Sequence, residues 1–141
     1  MIWNKKYTID ELQHFCENTM VANLGIEFLE IGDDFLKAQM PVDTRTIQPI
    51  GILHGGASVA LAETIGSVAA HMTTNPEKYL SVGLEINANH IKSIKQGYVI
   101  GTGRPLHLGR KTQVWQIEIN DQNNSLISIS RLTIAIIENR I

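Results

Sequence analysis

The sequence is poor in several features that would assign it to a specialised class of protein. Only one of its 141 residues is a cysteine, Cys16, so it can form neither an intramolecular disulfide nor a cysteine zinc site. A single cysteine is typical of a reducing compartment, and we expect a cytoplasmic protein. Acidic and basic residues nearly balance, with a formal net charge of −2, which is not typical of a nucleic-acid-binding protein.

The sequence also lacks a long apolar run. The residues after Met1 read IWNKKYTIDE, without the continuous apolar core of a secretory signal peptide. The most apolar stretch, residues 48–70, is interrupted by His54 and Glu63, so we expect no membrane span. With 141 residues the chain is long enough for one domain with a sizeable core, and we predict a single domain over residues 1–141.

Hydrophobic periodicity and turn signals predict both helices and strands. Thr8 and Glu11 have capping-box spacing at the start of an amphipathic helix, and Gly32-Asp33-Asp34 marks a hairpin turn. The alanine-rich stretch 57–72 predicts a long central helix. Four further strands, in an antiparallel meander, are expected near residues 80–90, 97–107, 112–120 and 126–137. The prediction is an α+β domain in which an antiparallel sheet covers one helix and uncovered surfaces favour self-association.

Glu63 is conspicuous because it is a lone carboxylate among Ala, Leu, Ile and Val of the predicted central helix. An ionised carboxylate in apolar surroundings is destabilising unless it is paired or used for chemistry. One interpretation is structural, an ion pair with Arg45 or Arg104. The other is functional, because Ser67 lies one turn later on the same helical face, where both side chains could hold one water or substrate atom.

The start of the same helix has the features of an oxyanion-binding site. Gly55 and Gly56 would expose backbone N–H groups at the positive end of the helix dipole, and Gln48 and His54 lie just upstream. Gly55 and Glu63 are separated by roughly 12 Å at about 1.5 Å per residue. Because one reacting centre cannot contact both, we expect a homodimer with antiparallel central helices and two shared active sites.

The stretch HGGASVALAETIGSVA resembles the helix motif of the hotdog-fold acyl-CoA thioesterases, and the resemblance covers nearly the whole chain. It implies a hotdog fold, in which an antiparallel sheet wraps around one long helix. It also implies that Gly55 polarises the thioester and that Glu63 attacks it or activates water. Gln48, His54 and Ser67 match the family's supporting polar positions. The expected reaction is acyl-CoA hydrolysis, with no metal and no cofactor, since coenzyme A is part of the substrate.

The stretches MPVDTRTIQPIGILHGGAS, GLEINANH and PLHLGR are similar to two paralogous groups within this family. One group hydrolyses 1,4-dihydroxy-2-naphthoyl-CoA in menaquinone synthesis, and the other removes misloaded aryl groups from a carrier protein. Val68 and GLEINANH favour the first group. We expect the dimers to associate further as a dimer of dimers. The resemblance places coenzyme A along Gly83, along His90, Ile91, Lys92 and Ser93, and along His107, Leu108, Gly109, Arg110, Lys111 and Thr112.

Other functions account for fewer of these residues. Ser58 follows a glycine pair, but GGASVA lacks the second glycine of a serine-hydrolase elbow. The histidines from His54 to His107 do not have metal-ligand spacing. Two alternatives to hydrolysis stay open: a dehydratase of the same fold that pairs His54 with Glu63, and a non-catalytic acyl-CoA-binding module.

Overall fold

Two short helices, a pair of strands, one long helix and four further strands follow one another in the computed structural model, which describes residues 1–141. The predicted N-terminal helix, hairpin, central helix and four later strands are all present, whereas the short second helix was not predicted. No helix has the length and apolar character needed to cross a bilayer. The elements are α1 (Ile9–Phe15), α2 (Met20–Asn23), β1 (Glu27–Ile31), β2 (Leu36–Val42), α3 (Gly55–Thr73), β3 (Tyr79–His90), β4 (Gly97–Leu108), β5 (Thr112–Asp121) and β6 (Leu126–Glu138).

All six strands form one antiparallel sheet in the order β1-β2-β4-β5-β6-β3. The predicted meander is therefore wrong for β3, which pairs with β6 at the far edge of the sheet and not with β4. The segment 91–96 is not a tight turn: the N–H of Ile91 donates to the carbonyl of Ile127, and the carbonyl of Ile94 accepts from Leu53. A local break in the sequence indicates that a strand ends but not which strand lies beside it.

The central helix α3 packs closely against the sheet. Its residues Leu61 and Ile65 are fully buried, and each such side chain contributes about 1.5–3 kcal/mol through removal from water. Glycines on β4 permit the close approach, because a Cβ on Gly101 would lie 2.5 Å from Ile65 Cδ1 and one on Gly103 would lie 2.7 Å from Ile65 Cγ2. This packing fixes the position of α3 relative to the strands that surround it.

The two edges of the sheet differ in length and character. Strand β1 has 5 residues, whereas β3 has 12 and contains a register shift between Gly83 and Glu85. Val82 and Leu84 on β3 are 44% and 62% exposed. A long edge strand presents a row of unpaired backbone N–H and C=O groups that favours pairing with another strand.

Candidate active site

The first turn of α3 has one free backbone donor. His54 is the N-cap, and its Nδ1 accepts a hydrogen bond from the N–H of Gly56 at 2.8 Å. Its carbonyl accepts from the N–H groups of Ala57 and Ser58 at 3.0 and 3.2 Å. The N–H of Gly55 donates to no acceptor of the chain. The expectation that Gly56 also offers a free N–H is wrong, because the His54 ring occupies it.

The free N–H of Gly55 lies at a cleft of about 290 Å³ that also contains Gln48 and His90; we call it the Gly55 cleft. The Oε1 of Gln48 accepts from the N–H of Ile50, which leaves its amide Nε2 as a donor. The predicted coenzyme A segment 91–93 lines the same cleft. The structure therefore brings together Gln48, Gly55 and one of the two predicted nucleotide-binding segments.

Glu63 forms no ion pair within the chain. The guanidinium of Arg45 binds Asp43 at 2.7 Å, and that of Arg104 binds Asp34 at 2.7 Å. Both arginines thus bind other carboxylates. The interpretation that Glu63 forms an ion pair with Arg45 or Arg104 is wrong. The Glu63 carboxylate is half-buried on α3 and has no hydrogen-bond donor from the same chain.

Glu63 and Ser67 lie at a second cleft, of about 460 Å³, which we call the Glu63 cleft. Its other hydroxyls point to backbone, Thr19 to the carbonyl of Cys16 at 2.6 Å and Thr64 to that of Ala60 at 2.7 Å. Burial raises the pKa of the Cys16 thiol, which favours its protonated form. The remaining lining is apolar and comprises Phe15, Met20, Val21, Leu24, Ala60 and Val68.

The wall of the Glu63 cleft was missed by sequence reasoning. It is built by the end of α1 and by α2, and Phe15 and Met20 on it are 63% and 62% exposed. The signal for α2 is Thr19, whose hydroxyl caps the helix by accepting from the N–H of Val21. A second signal is the glycine that follows the helix, Gly25, with φ of 71°.

Glu63 lies directly against the backbone of β3. A Cβ built on Gly83 would lie 2.6 Å from Glu63 Oε1, so the carboxylate occupies the space that any side chain at this position would need. At the other end of the strand, a Cβ built on Gly55 would lie 2.8 Å from His90 Nε2. Strand β3 therefore runs antiparallel to α3. Gly83, predicted to contact coenzyme A, lies beside Glu63.

The second predicted nucleotide-binding segment, residues 107–112, lies at the opposite end of α3. Its turn is closed by a hydrogen bond from the N–H of Gly109 to the carbonyl of Thr112 at 2.9 Å. Leu108, Gly109 and Arg110 line a cleft of about 350 Å³ with Thr73 and Tyr79. Within one chain, this segment is not brought together with residues 90–93.

The side chains that a serine hydrolase, a dehydratase or a metal-dependent enzyme would use do not have the arrangement that those mechanisms need. Ser58 is 2% exposed and lies inside α3, where its hydroxyl makes no hydrogen bond with a histidine. His54 is occupied as the helix cap. Burial, with a smaller contribution from the charge of Lys5, lowers the pKa of His71, whose ring stacks on Phe15 at 5.3 Å. No three metal-binding side chains converge.

The sequence of this chain is similar to the sequences of known thioesterases. The profile of the thioesterase superfamily matches residues 50–128. The 1,4-dihydroxy-2-naphthoyl-CoA hydrolase of Escherichia coli (strain K12) is 56% identical over 137 residues, 97% of this chain and 100% of that protein. The chain belongs to the thioesterase superfamily. The proofreading thioesterase EntH of Cronobacter turicensis is 49% identical over 136 residues, 96% of this chain and 98% of that protein.

Solved thioesterases have the same fold. The crystal structure of a thioesterase from Haemophilus influenzae matches with a TM-score of 0.95 at 48% identity, over 98% of this chain and 96% of that one. A mutant thioesterase from Pseudomonas aeruginosa matches with a TM-score of 0.97 at 40% identity, over 99% of this chain and 100% of that one. The hotdog fold and the thioester hydrolase class predicted from the sequence are confirmed.

Proposed function

We propose that this thioesterase hydrolyses an aryl-CoA, such as 1,4-dihydroxy-2-naphthoyl-CoA, to the free acid and coenzyme A. The observation that carries the proposal is Glu63, an unpaired carboxylate that lines a mainly apolar cleft. The choice of acyl group is supported by the 56% identity to a hydrolase of that substrate and by Val68 in the cleft lining. We place the reaction in the cytoplasm, where a lone thiol such as Cys16 stays reduced.

The proposed chemistry uses the free N–H of Gly55 and the carboxylate of Glu63. The thioester carbonyl oxygen accepts from Gly55, which stabilises the negative charge that develops on it. Glu63 either takes a proton from the attacking water or attacks the carbonyl carbon itself, in which case water hydrolyses the resulting anhydride. In both routes the C–S bond breaks and the coenzyme A sulfur leaves as a thiolate that takes up a proton. Gln48 and Ser67 orient the carbonyl and the nucleophile.

We further propose that each active site is shared by two subunits joined through β3. The strand is a long, unpaired edge with exposed Val82 and Leu84. Antiparallel pairing of two β3 strands would satisfy the open backbone groups and bury these side chains. Because β3 runs antiparallel to α3 in each chain, the two helices would also lie antiparallel.

We place the two-fold axis near Ile86, because this register brings the two halves of the proposed site together. An axis near Ile86 places His90 of one subunit opposite the partner's Val82 and Gly83. His90 lies beside Gly55, and Gly83 lies beside Glu63. The Gly55 N–H of one subunit therefore faces the Glu63 carboxylate of the other. Within one helix the same two residues are separated by roughly 12 Å, at about 1.5 Å per residue.

The same axis unites the two separated nucleotide-binding segments. It places Tyr79 of one subunit near the partner's Ser93, and Tyr79 lines the cleft that contains Leu108, Gly109 and Arg110. Coenzyme A would then extend from residues 90–93 of one subunit to residues 107–112 of the other. Arg110 and Lys111 are exposed cations suited to its phosphates, whereas Lys92 lies 3.5 Å from Asp121 and is partly neutralised. We expect two such dimers to form a dimer of dimers.

A thiol-release assay tests the proposed reaction. Purified protein is given 1,4-dihydroxy-2-naphthoyl-CoA, benzoyl-CoA, a medium-chain aliphatic acyl-CoA and an aryl-carrier-protein thioester. We expect the highest kcat/KM with the naphthoyl substrate and a loss of about 10²–10⁴-fold in kcat for Glu63→Ala, the range typical of a general base. A preference for the carrier protein would indicate a proofreading enzyme, and a preference for aliphatic substrates would exclude the aryl assignment. Tight coenzyme A binding without thiol release would indicate a binding module.

A further inference from the structure

His90 occupies the space next to the free backbone donor of the site. The atom nearest to a Cβ built on Gly55 is His90 Nε2 at 2.8 Å, followed by Cε1 at 3.1 Å and Cδ2 at 3.3 Å. The imidazole therefore approaches Gly55 with its Nε2 edge first. Only a glycine leaves room for this approach. Gly55 therefore both exposes its backbone N–H and makes space for the His90 imidazole.

The Nε2 of His90 is free to bind a substrate atom. His90 is exposed at the end of β3 and lines the Gly55 cleft together with Gln48. Its side chain makes no hydrogen bond or ion pair within the chain, in contrast to His54, whose Nδ1 is used as the helix cap. Of the two histidines near the helix start, only His90 offers an unoccupied ring at the cleft.

We propose that His90 is a second oxyanion donor, whose Nε2–H binds the same thioester oxygen as the N–H of Gly55. This role rests on the proposed thioester hydrolysis and differs from the coenzyme A contact that the family resemblance implies for this residue. His90 keeps its proton throughout: it donates a hydrogen bond to the oxygen as the tetrahedral intermediate forms, while Glu63 of the partner subunit handles the proton of water or forms the C–O bond.

The distances allow both donors to reach one oxygen. Standard backbone geometry separates a residue's N and Cβ by about 2.5 Å, which limits the distance between Gly55 N and His90 Nε2 to roughly 5.3 Å. Two donors that each lie about 2.9 Å from a shared acceptor can be up to roughly 5.8 Å apart. An oxygen that binds Gly55 N–H on the cleft side can therefore also accept from His90.

The test compares His90→Ala and His90→Gln with the wild type in the thiol-release assay. Glutamine retains an N–H donor at a similar distance from the backbone. Loss of an oxyanion donor lowers kcat by up to about 10²–10³-fold, so we expect His90→Ala to lose at least about tenfold in kcat with little change in KM. We expect His90→Gln to recover a large part of that loss.

The matched control is His14→Ala, which removes an exposed histidine of α1 that pairs only with Glu17; its kcat and KM should equal those of the wild type. Three results would overturn the role of His90: a raised KM with unchanged kcat, which indicates a coenzyme A contact; wild-type kinetics for His90→Ala; or a glutamine variant no faster than the alanine variant. An inactive wild type would contradict the proposed function itself. Melting temperatures measured on all variants identify any loss of kcat that comes from unfolding.

Discussion

Two glycines determine how closely side chains of α3 and β3 approach the backbone of the other element. Gly83 makes room for the Glu63 carboxylate, and Gly55 makes room for the His90 ring. The sequence predicted that Gly55 and Glu63 are functional, because a carboxylate among apolar residues and glycines at a helix start both need an explanation. It could not predict the contacts with Gly83 and His90, since these depend on the strand that packs beside α3.

Gly83→Ala tests the position of the carboxylate. The new methyl group would lie 2.6 Å from Glu63 Oε1, so the carboxylate must move away from its present position. A displacement of about 1 Å can lower a rate by about 10²-fold, and we expect a drop of this order in kcat with a smaller change in KM. The measurement is steady-state thiol release.

Glu30→Ala serves as the control on the opposite edge strand β1, because Glu30 is exposed and pairs only with Lys37. Its kcat should stay close to that of the wild type. Wild-type kcat in Gly83→Ala would show that the carboxylate does not need the space above Gly83, and a change confined to KM would assign Gly83 to coenzyme A binding instead.

At the level of elements, the sequence predicted which segments form helices and strands better than it predicted which strands lie side by side. The bounds of α3 and the later strands were predicted closely, because alanine content, β-branched runs and turn residues are local signals. The position of β3 beside β6 was not predicted, because it depends on the path of residues 91–96 across the sheet. The four-residue helix α2 is too short for a hydrophobic period to reveal.

The cap of α3 can be tested by substitution of His54. His54→Ala removes the acceptor of the Gly56 N–H, and we expect it to lower the free energy of unfolding by about 1 kcal/mol, the usual value of an N-cap side chain. His54→Asn keeps a short side-chain acceptor and should retain most of the wild-type stability. Urea denaturation of the three proteins measures the difference. Equal stability of the alanine and asparagine variants would mean that the ring does not act as a cap.

At the scale of the whole molecule, the active site that we propose is formed by two subunits. One chain keeps Gly55 and Glu63 in separate clefts, and it also separates residues 90–93 from residues 107–112. The spacing of Gly55 and Glu63 along one helix predicted the first of these separations, because helix rise is fixed. Which surface joins the subunits could not be predicted, since the edge position of β3 follows from the sheet order.

A pair of complementary variants tests the shared site. Glu63→Ala removes the carboxylate, and Gly55→Pro removes the N–H donor. Proline is well tolerated at the first position of a helix, and His54 has φ of −68° and ψ of 130°, a backbone conformation that favours a following proline. Gly55→Ala is the reference variant, because it adds the Cβ that displaces His90 but keeps the N–H, so any further loss of activity in Gly55→Pro measures the missing donor.

The most direct measurement is the thiol-release activity of Glu63→Ala and Gly55→Pro chains co-expressed in equal amounts. Each variant alone should be nearly inactive. If sites are shared, half of the random dimers are mixed and each mixed dimer has one intact site, so we predict about a quarter of the wild-type specific activity. Activity no higher than that of the separate variants would contradict the shared active site.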